Sequence, residues 1–301
     1  MRAREVPWVL GIYGPTASGK SALAERLADR TGAQLINADA FQVYQRLDIG
    51  TAKSPRKDEY LLIDLKEPHE SFRVGEWVQL ATTALRRLYD EGRNSIVVGG
   101  TGFYLRALFE GYSEMLSAPD PTLRAELVRR EAEEGLESLV EELRKSAPQV
   151  AAKVDLRNPV RVRRALERLA SPAAPLQAEL PPVKTKKIAI DPAKDVLDAG
   201  IRARISDMVR MGWLEEVRSL KAAGIMRDAP GMRALGYDTL YDHLEGLLTL
   251  EQALLNIEVS TRRYAKRQKT WLRSEPNLHR LADANDLLGA EAEALDFLEK
   301  I

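Results

Sequence analysis

Gly14-Pro15-Thr16-Ala17-Ser18-Gly19-Lys20-Ser21 fits the spacing G-x-x-x-x-G-K-[ST]. The glycines let the backbone wrap an anion with its N–H groups turned inward, and a helix opening near Gly19 adds its positive dipole end. Lys20 is placed to reach terminal phosphates, and the Ser21 hydroxyl to hold magnesium (Mg2+). The motif calls for a polyphosphate; it does not specify ATP. A glycine-rich turn without a ligand is the alternative, and the strand before the motif and the helix after it speak against that. A second feature is Asp39, in Asn37-Ala38-Asp39-Ala40-Phe41-Gln42, which closes the next apolar run. Carboxyl ends of strands in an open parallel sheet face the ligand crevice, which brings Asp39 near the phosphate loop. A carboxylate there accepts a proton from an incoming nucleophile or supports a metal ion through water. A helix N-cap or an Asx turn explains the same residue equally well. Asp64, closing Leu61-Leu62-Ile63, is a competing acid of more structural character. Gly99-Gly100-Thr101-Gly102-Phe103-Tyr104 ends a third run, offering close backbone approach and a hydroxyl at the same crevice, or a plain tight turn.

These side chains need a sheet to assemble them. Short apolar runs at 6–14, 33–39, 60–65 and 95–100 read as strands. Between them, 18–32 and 76–92 have helical spacing and end at Gly32 and Gly92. That alternation gives right-handed βαβ units and a mostly parallel sheet. From about 119 to 170 the pattern is helical and heavily charged, and 171–184 is a proline-rich loop or hinge. KKIAI at 186–190 returns to the sheet, and helices follow near 194–211, 213–223 and 250–272. The expected fold is α/β: a P-loop NTPase-like parallel core over 1–115 and 186–301 with C-terminal helices, interrupted by a helical insertion over 116–185.

Composition narrows the function. The chain has 301 residues, 45% hydrophobic and 30% charged, with 45 basic and 45 acidic side chains. No apolar run approaches a membrane span, so no membrane partner is expected. The first residues read as a strand, not a signal peptide. With no cysteine, a disulfide framework, a thiolate zinc site and a thiol nucleophile are excluded. His69, His243 and His279 are scattered, which argues against a histidine metal site. A reducing cytoplasm is the expected setting. Zero net charge argues against a globally basic nucleic-acid binder but permits local basic faces.

GPTASGKS, then NADAFQVYQRLDIGTAK (37–53), VVGGTGFYLRAL (97–108), NPVRVRRALE (158–167), MRALGY (232–237) and TRRYAKRQKTWLR (261–273) follow in an order that resembles the tRNA dimethylallyltransferases. The resemblance spans nearly the whole chain, and its most specific parts are the QVYxxxDIGTAK and RQxTWLR runs. It implies transfer of a five-carbon prenyl group from dimethylallyl diphosphate to N6 of the adenosine immediately 3′ of the anticodon, in tRNAs reading codons that begin with U. It implies that Gly14 through Ser21 bind the diphosphate with Mg2+ on Ser21, and that Lys20, Asp39 and Thr101 are catalytic, Asp39 taking the N6 proton. By the same resemblance Asp39, Ala40, Phe41, Gln42, Thr101, Arg124, Val160, Arg161, Val162, Arg163, Arg164, Met232, Arg233, Ala234, Leu235, Gly236 and Tyr237 contact the tRNA anticodon stem-loop. A buried paired base cannot reach such a site, so the target base is expected to flip out. A monomer is expected.

Two basic clusters suit an RNA partner. Arg157, Arg161, Arg163, Arg164 and Arg168 fall in the insertion; Arg262, Arg263, Lys266, Arg267, Lys269 and Arg273 interleave with Tyr264 and Trp271. Guanidinium forks suit phosphates and aromatic faces suit unstacked bases. Solvated helix faces balanced by glutamates are the alternative, and part of the second cluster is also suited to bracing the core or the diphosphate. The chain departs from the family pattern at three places. Ala40 stands where serine is usual, Gly200 where the first arginine of L-x-x-R-I-x-x-R is usual, and Glu59-Tyr60-Leu61 where a histidine pair is usual. Arg204 keeps the second arginine, and Arg202 is two residues off the first, turned well around a helix. Without cysteine there is no zinc finger, which fits the bacterial form. A P-loop small-molecule kinase using Asp39 as base and the arginines as a lid is the main rival. A nucleotide-dependent RNA-binding module without catalysis and prenylation of free adenine nucleotides are two others.

Overall fold

Strand β1 (Trp8–Tyr13) is buried along nearly its whole length, because it lies in the middle of the sheet. The computed structural model describes residues 6–111, 120–170, 179–281 and 286–300. Six parallel strands run in the order β3-β2-β4-β1-β5-β6, with β2 (Gln34–Asn37), β3 (Tyr60–Leu61), β4 (Ser95–Gly99), β5 (Lys184–Ala189) and β6 (His279–Arg280). Tyr13 pairs with Gly99 on one side and Ala189 on the other, so the ends of β1 and β4 finish level. The loops that follow them share one crevice for that reason.

Helix α1 (Lys20–Thr31) buries Leu23, Ala24 and Leu27, and α2 (Val74–Glu91) buries a stripe from Trp77 to Leu88. Both end on the expected glycine caps, Gly32 and Gly92. Helix α3 (Gly102–Phe109) starts directly after the third glycine-rich turn. The third strand is shorter than the 60–65 run suggests. Leu62 and Asp64 adopt positive φ (63° and 53°), which breaks the extended path after Leu61. The return to the sheet begins at Lys184, two residues ahead of the expected start.

The chain divides into two compact units, Met1–Gly111 with Glu179–Ile301, and Tyr112–Ala178. In the second unit α4 (Pro121–Glu134), α5 (Leu136–Ser146), α6 (Pro148–Ala151) and α7 (Pro159–Ala170) close over Leu127, Leu139, Leu143, Val162 and Leu166. Asp120 caps α4 by accepting from Thr122 N at 2.8 Å. The proline-rich stretch expected at 171–184 lies outside the described residues up to 178.

The buried clusters of the first unit include two large ones. One lies beneath the sheet and is closed by α1 and α12 (Leu287–Glu299). The other is built by α8 (Lys194–Arg210), α9 (Trp213–Ala222), α10 (Tyr237–Leu244) and α11 (Leu250–Arg273) around Trp213, Met232 and Tyr237. A capping box at Thr249 and Gln252 starts α11. Its buried face, Ala253, Ile257, Thr261, Ala265, Gln268 and Leu272, is apolar except for Thr261 and Gln268. No described helix is long and apolar enough to cross a membrane.

Candidate active site

The phosphate loop joins β1 to α1. Ala17 sits at φ 62°, a left-handed conformation uncommon outside glycine, so the loop holds strain of the kind found at ligand cradles. The N–H groups of Ala17 and Gly19 meet no protein acceptor among the described residues, and the Ser18 hydroxyl is buried without a partner. These donors are free for an anion. Thr16 N–H is not: it donates to Gln268 Oε1 at 2.8 Å. Gln268 Nε2 in turn donates to Gly100 O at 2.8 Å. One buried amide on α11 therefore ties the phosphate loop to the turn after β4. A Cβ at position 100 would lie 2.4 Å from Gln268 Nε2, so only glycine permits this approach.

Lys20 and Arg204 converge on the same crevice, with Asp39 opposite. Burial, reinforced by the Arg204 charge and opposed by Asp39, pushes the Lys20 ammonium down to about 8. Arg204 Nη1 donates to Thr16 Oγ1 at 3.2 Å, and burial lowers its guanidinium below the ordinary value against the pull of Asp39. The cationic crevice is desolvated and strengthened for an anion. Asp39 sits just past β2. Its Oδ1 accepts from Phe41 N–H at 2.9 Å, an Asx turn, while Oδ2 has no partner among the described residues. The Asx-turn reading of Asp39 holds for one oxygen, and the other oxygen is left free. Asn37, buried at the strand end, fixes that turn by accepting from Asp39 N–H at 3.1 Å and donating to Leu62 O at 2.9 Å. The Thr101 hydroxyl accepts from Ala40 N–H at 3.3 Å. Burial, with the Asp39 charge, raises the Tyr264 phenol above its ordinary value, and its hydrogen bond with Thr101 opposes this.

Two hollows meet here. The polar one is lined by Lys20, Ser21, Asp39, Gln42 and Arg204 among others. The second, about 190 Å³, is lined by Thr101, Phe103, Trp271 and Leu272 and is largely apolar. Gly99, Tyr264 and Gln268 border both. Trp271 is fixed edge-on to Phe103 with centroids 6.2 Å apart, and the Arg106 guanidinium lies 4.1 Å above its ring. Arg106 is held in turn by the buried Glu275 at 2.8 Å.

Other predicted positions fall elsewhere. Asp64 is outside the polar hollow and is paired to Lys53 and to Lys57, a structural role. Of the 232–237 run, Met232, Ala234, Gly236 and Tyr237 are buried, Leu235 is half-buried and Arg233 is exposed. Met232, Ala234 and Tyr237 pack the second core. The Tyr237 hydroxyl donates to Glu216 at 2.5 Å, and Glu216 accepts the N–H groups of Asp48, Ile49 and Gly50 at 2.9, 2.8 and 3.3 Å. That clamp sets the loop whose Thr51 and Ala52 carbonyls accept from Gln42 Nε2 at 3.0 and 3.2 Å. In the insertion, Val162 is core, Arg163 pairs with Glu131, and Arg124 and Arg164 both engage the buried Glu167, each at 2.9 Å. Val160 and Arg161 are exposed. Gly200 lies against the phosphate loop, where a Cβ would stand 3.3 Å from Ala17 O. Arg202 does not replace the missing arginine: it reaches Glu258 at 4.0 Å and is 55% exposed.

A parallel sheet with a phosphate loop, a free carboxylate at the neighbouring strand end and an aromatic hollow beside them defines a P-loop transferase. The IPP transferase family model matches residues 42–275, and the isopentenyl transferase model matches 8–61. A tRNA dimethylallyltransferase of Syntrophobacter fumaroxidans is 39% identical over 300 residues, covering 96% of this chain and 86% of the relative. The solved tRNA isopentenylpyrophosphate transferase of Bacillus halodurans is 33% identical with a TM-score of 0.70, covering 98% of both chains. A eukaryotic dimethylallyltransferase solved acting on tRNA, at 22% identity and TM-score 0.79, shares the fold. The chain belongs to the tRNA dimethylallyltransferase family.

Proposed function

We propose that the protein transfers the dimethylallyl group of dimethylallyl diphosphate to N6 of the adenosine immediately 3′ of the anticodon, releasing diphosphate. The observation that carries this reading is the pair of adjoining hollows, one cationic at the phosphate loop and one aromatic at Thr101 and Trp271, with the free Asp39 oxygen at the polar one. The diphosphate takes the free loop N–H groups, Lys20 and Arg204. The planar apolar groups that must meet, the allylic tail and the extruded base, take the aromatic side. As the C1–O bond breaks, negative charge gathers on the diphosphate, and preorganised cations and N–H donors there lower the barrier. The N6–C1 bond forms, and the N6 proton passes to Asp39 Oδ2. Exocyclic amines are weak nucleophiles, so removing that proton as the bond forms favours the forward step. Thr101, held between Ala40 N–H and Tyr264, positions the base.

Magnesium fits the donor set. Ser21 offers a hard hydroxyl oxygen at the polar hollow, and Mg2+ is ordinarily held by one or two protein oxygens plus substrate phosphates. Among the described residues no cluster of three acidic or histidine ligands would cage a metal alone. When bound, the ion neutralises diphosphate charge. The tRNA anticodon stem-loop is received by Asp39 through Gln42 and by exposed insertion residues such as Val160 and Arg161. The reaction is assigned to a monomer, in the cytoplasmic setting where its tRNA substrate is found.

The kinase reading is not favoured, because the matched relatives are prenyltransferases. The deciding experiment incubates the full chain with radiolabelled dimethylallyl diphosphate, Mg2+ and an anticodon stem-loop carrying that adenosine. Label in the RNA is expected. ATP turnover without label transfer would restore the kinase.

A further inference from the structure

A buried carboxylate lies behind the aromatic hollow. Glu275, just past the end of α11, collects hydrogen bonds from three other elements. Its Oε1 accepts from the Tyr13 hydroxyl of β1 at 3.2 Å and from Lys187 Nζ of β5 at 3.0 Å, and its Oε2 accepts from Arg106 Nε of α3 at 2.8 Å. Lys187 is itself buried and is shared with Glu110 at 2.7 Å. Burial, and then the Glu275 charge, raise the Tyr13 phenol above its ordinary value, so it stays the donor. Charges taken this far out of water are costly, and apolar side chains of similar volume often hold a fold as well. The network is therefore weak as a stability device, and its place beside the hollow points to another use.

Tyr13 lines that hollow immediately before Gly14 of the phosphate loop, and Trp271 walls it. The Trp271 indole N–H meets no partner among the described residues, so no hydrogen bond fixes the ring. Arg106 supplies the restraint. Its guanidinium lies 4.1 Å from the ring centroid, and its Nη2 donates to Ser274 O at 2.9 Å, three residues past Trp271. A cation held over an indole face restrains the ring, more strongly where water is excluded. Glu275 aims that cation with one oxygen and holds Tyr13 with the other. A glutamine could not do both: with its carbonyl turned to Tyr13 and Lys187, its NH2 group would face the N–H donors of Arg106.

We infer that Glu275 is a positioning residue for prenyl transfer: through Arg106 and Tyr13 it fixes two boundaries of the hollow that receives the donor's allylic tail. The inference rests on the proposed reaction and deepens it by separating the groups that shape the tail's hollow from those that bind diphosphate. The test is steady-state transfer to the anticodon stem-loop by the full chain, with donor varied and inorganic diphosphate as competing inhibitor. Glu275→Gln and Arg106→Met are each expected to lower kcat/KM for the donor by about 2- to 30-fold. The inhibition constant of diphosphate, which has no tail, is expected to stay within about twofold of wild type. The double variant should fall no further than the larger single, because both act through Trp271. Glu110→Gln, which loses a contact to Lys187 but none to the hollow, should leave transfer unchanged. Arg106→Met keeps Glu275 paired to Lys187, so it carries the test if Glu275→Gln melts early. Acrylamide quenching in a Trp8→Phe background reads the ring itself, since Trp77 and Trp213 are 0% and 1% exposed; quenching should increase in both variants. Wild-type kcat/KM or wild-type quenching in both folded variants overturns the role. So does a rise in the diphosphate inhibition constant equal to the fall in kcat/KM, which would place the effect at the phosphate loop. Absence of prenyl transfer in the wild type would overturn the proposed reaction, while quenching still reports whether Glu275 holds Trp271.

Discussion

Gln268→Ala removes both hydrogen bonds that join the phosphate loop to the Gly100 turn. Thr16 N–H and Gly100 O are then orphaned in a site where the glutamine itself is only 8% exposed. Each orphaned buried group costs about 1–3 kcal/mol, so the combined loss is about 2–6 kcal/mol. At roughly 2–4 °C per kcal/mol, the melting temperature falls by about 4–24 °C. Because the two loops carry the donor cradle and Thr101, part of that loss appears in the transition state. With about 1.4 kcal/mol per tenfold, kcat/KM for the donor is expected to drop by about 30- to 300-fold. Gln268→Glu separates geometry from mere packing. It can still accept from Thr16 N–H, but an ionised carboxylate cannot donate to Gly100 O and stands beside the diphosphate. It is expected to lose at least as much activity as Gln268→Ala with a smaller fall in melting temperature. The assay is steady-state transfer with donor and stem-loop varied in turn, alongside thermal denaturation. A folded Gln268→Ala enzyme within about twofold of wild-type kcat/KM would refute the coupling of the two loops.

Three further outcomes are expected. Asp39→Asn keeps an oxygen for Phe41 N–H but cannot accept the N6 proton, so kcat should fall by about 10²–10⁴ with stem-loop affinity nearly unchanged; equal turnover in mutant and wild type removes Asp39 from the chemistry. Lys20 is a cation below its lowered value of about 8 and neutral above it, so donor kcat/KM should fall as pH rises through that value, and Lys20→Ala should abolish this limb while raising donor KM. A limb that persists in Lys20→Ala assigns it to another group. Glu216→Ala releases the Asp48 and Ile49 N–H groups and the Tyr237 hydroxyl, while Gly50 N–H keeps the Tyr237 oxygen; the loss should cost about 3–5 kcal/mol in urea unfolding, and an unchanged midpoint contradicts the clamp.

Elements with a clear period were legible in the sequence: β1, β2, β4 and β5, and helices α1, α2, α8, α9 and α11. Strand β6 was not, because two residues carry no period, and it forms only where His279–Arg280 falls beside Ile188–Ala189. The phosphate loop and Asp39 were legible because strand ends in a parallel sheet face one crevice. Gln268 was missed, since a glutamine amid lysines and arginines reads as solvated. Its signal was its place on the apolar face of α11, in step with Thr261, Ala265 and Leu272. In the 232–237 run Met232, Ala234, Gly236 and Tyr237 are buried, which the motif alone does not reveal, and Tyr237 acts through Glu216 on the loop holding Gln42. Salt-bridge partners decided the arginines, and partners thirty or more residues apart, such as Arg163 and Glu131, have no local signature.

The most direct test compares two anticodon stem-loops differing only in the base 3′ of the anticodon, adenosine or guanosine, each treated with donor and Mg2+ and digested to nucleosides for mass spectrometry. Prenylated adenosine at that one position, with one diphosphate released per group transferred and no product from the guanosine loop, is the expected result. Prenyl label at any other base, or diphosphate released without transfer to RNA, would contradict it.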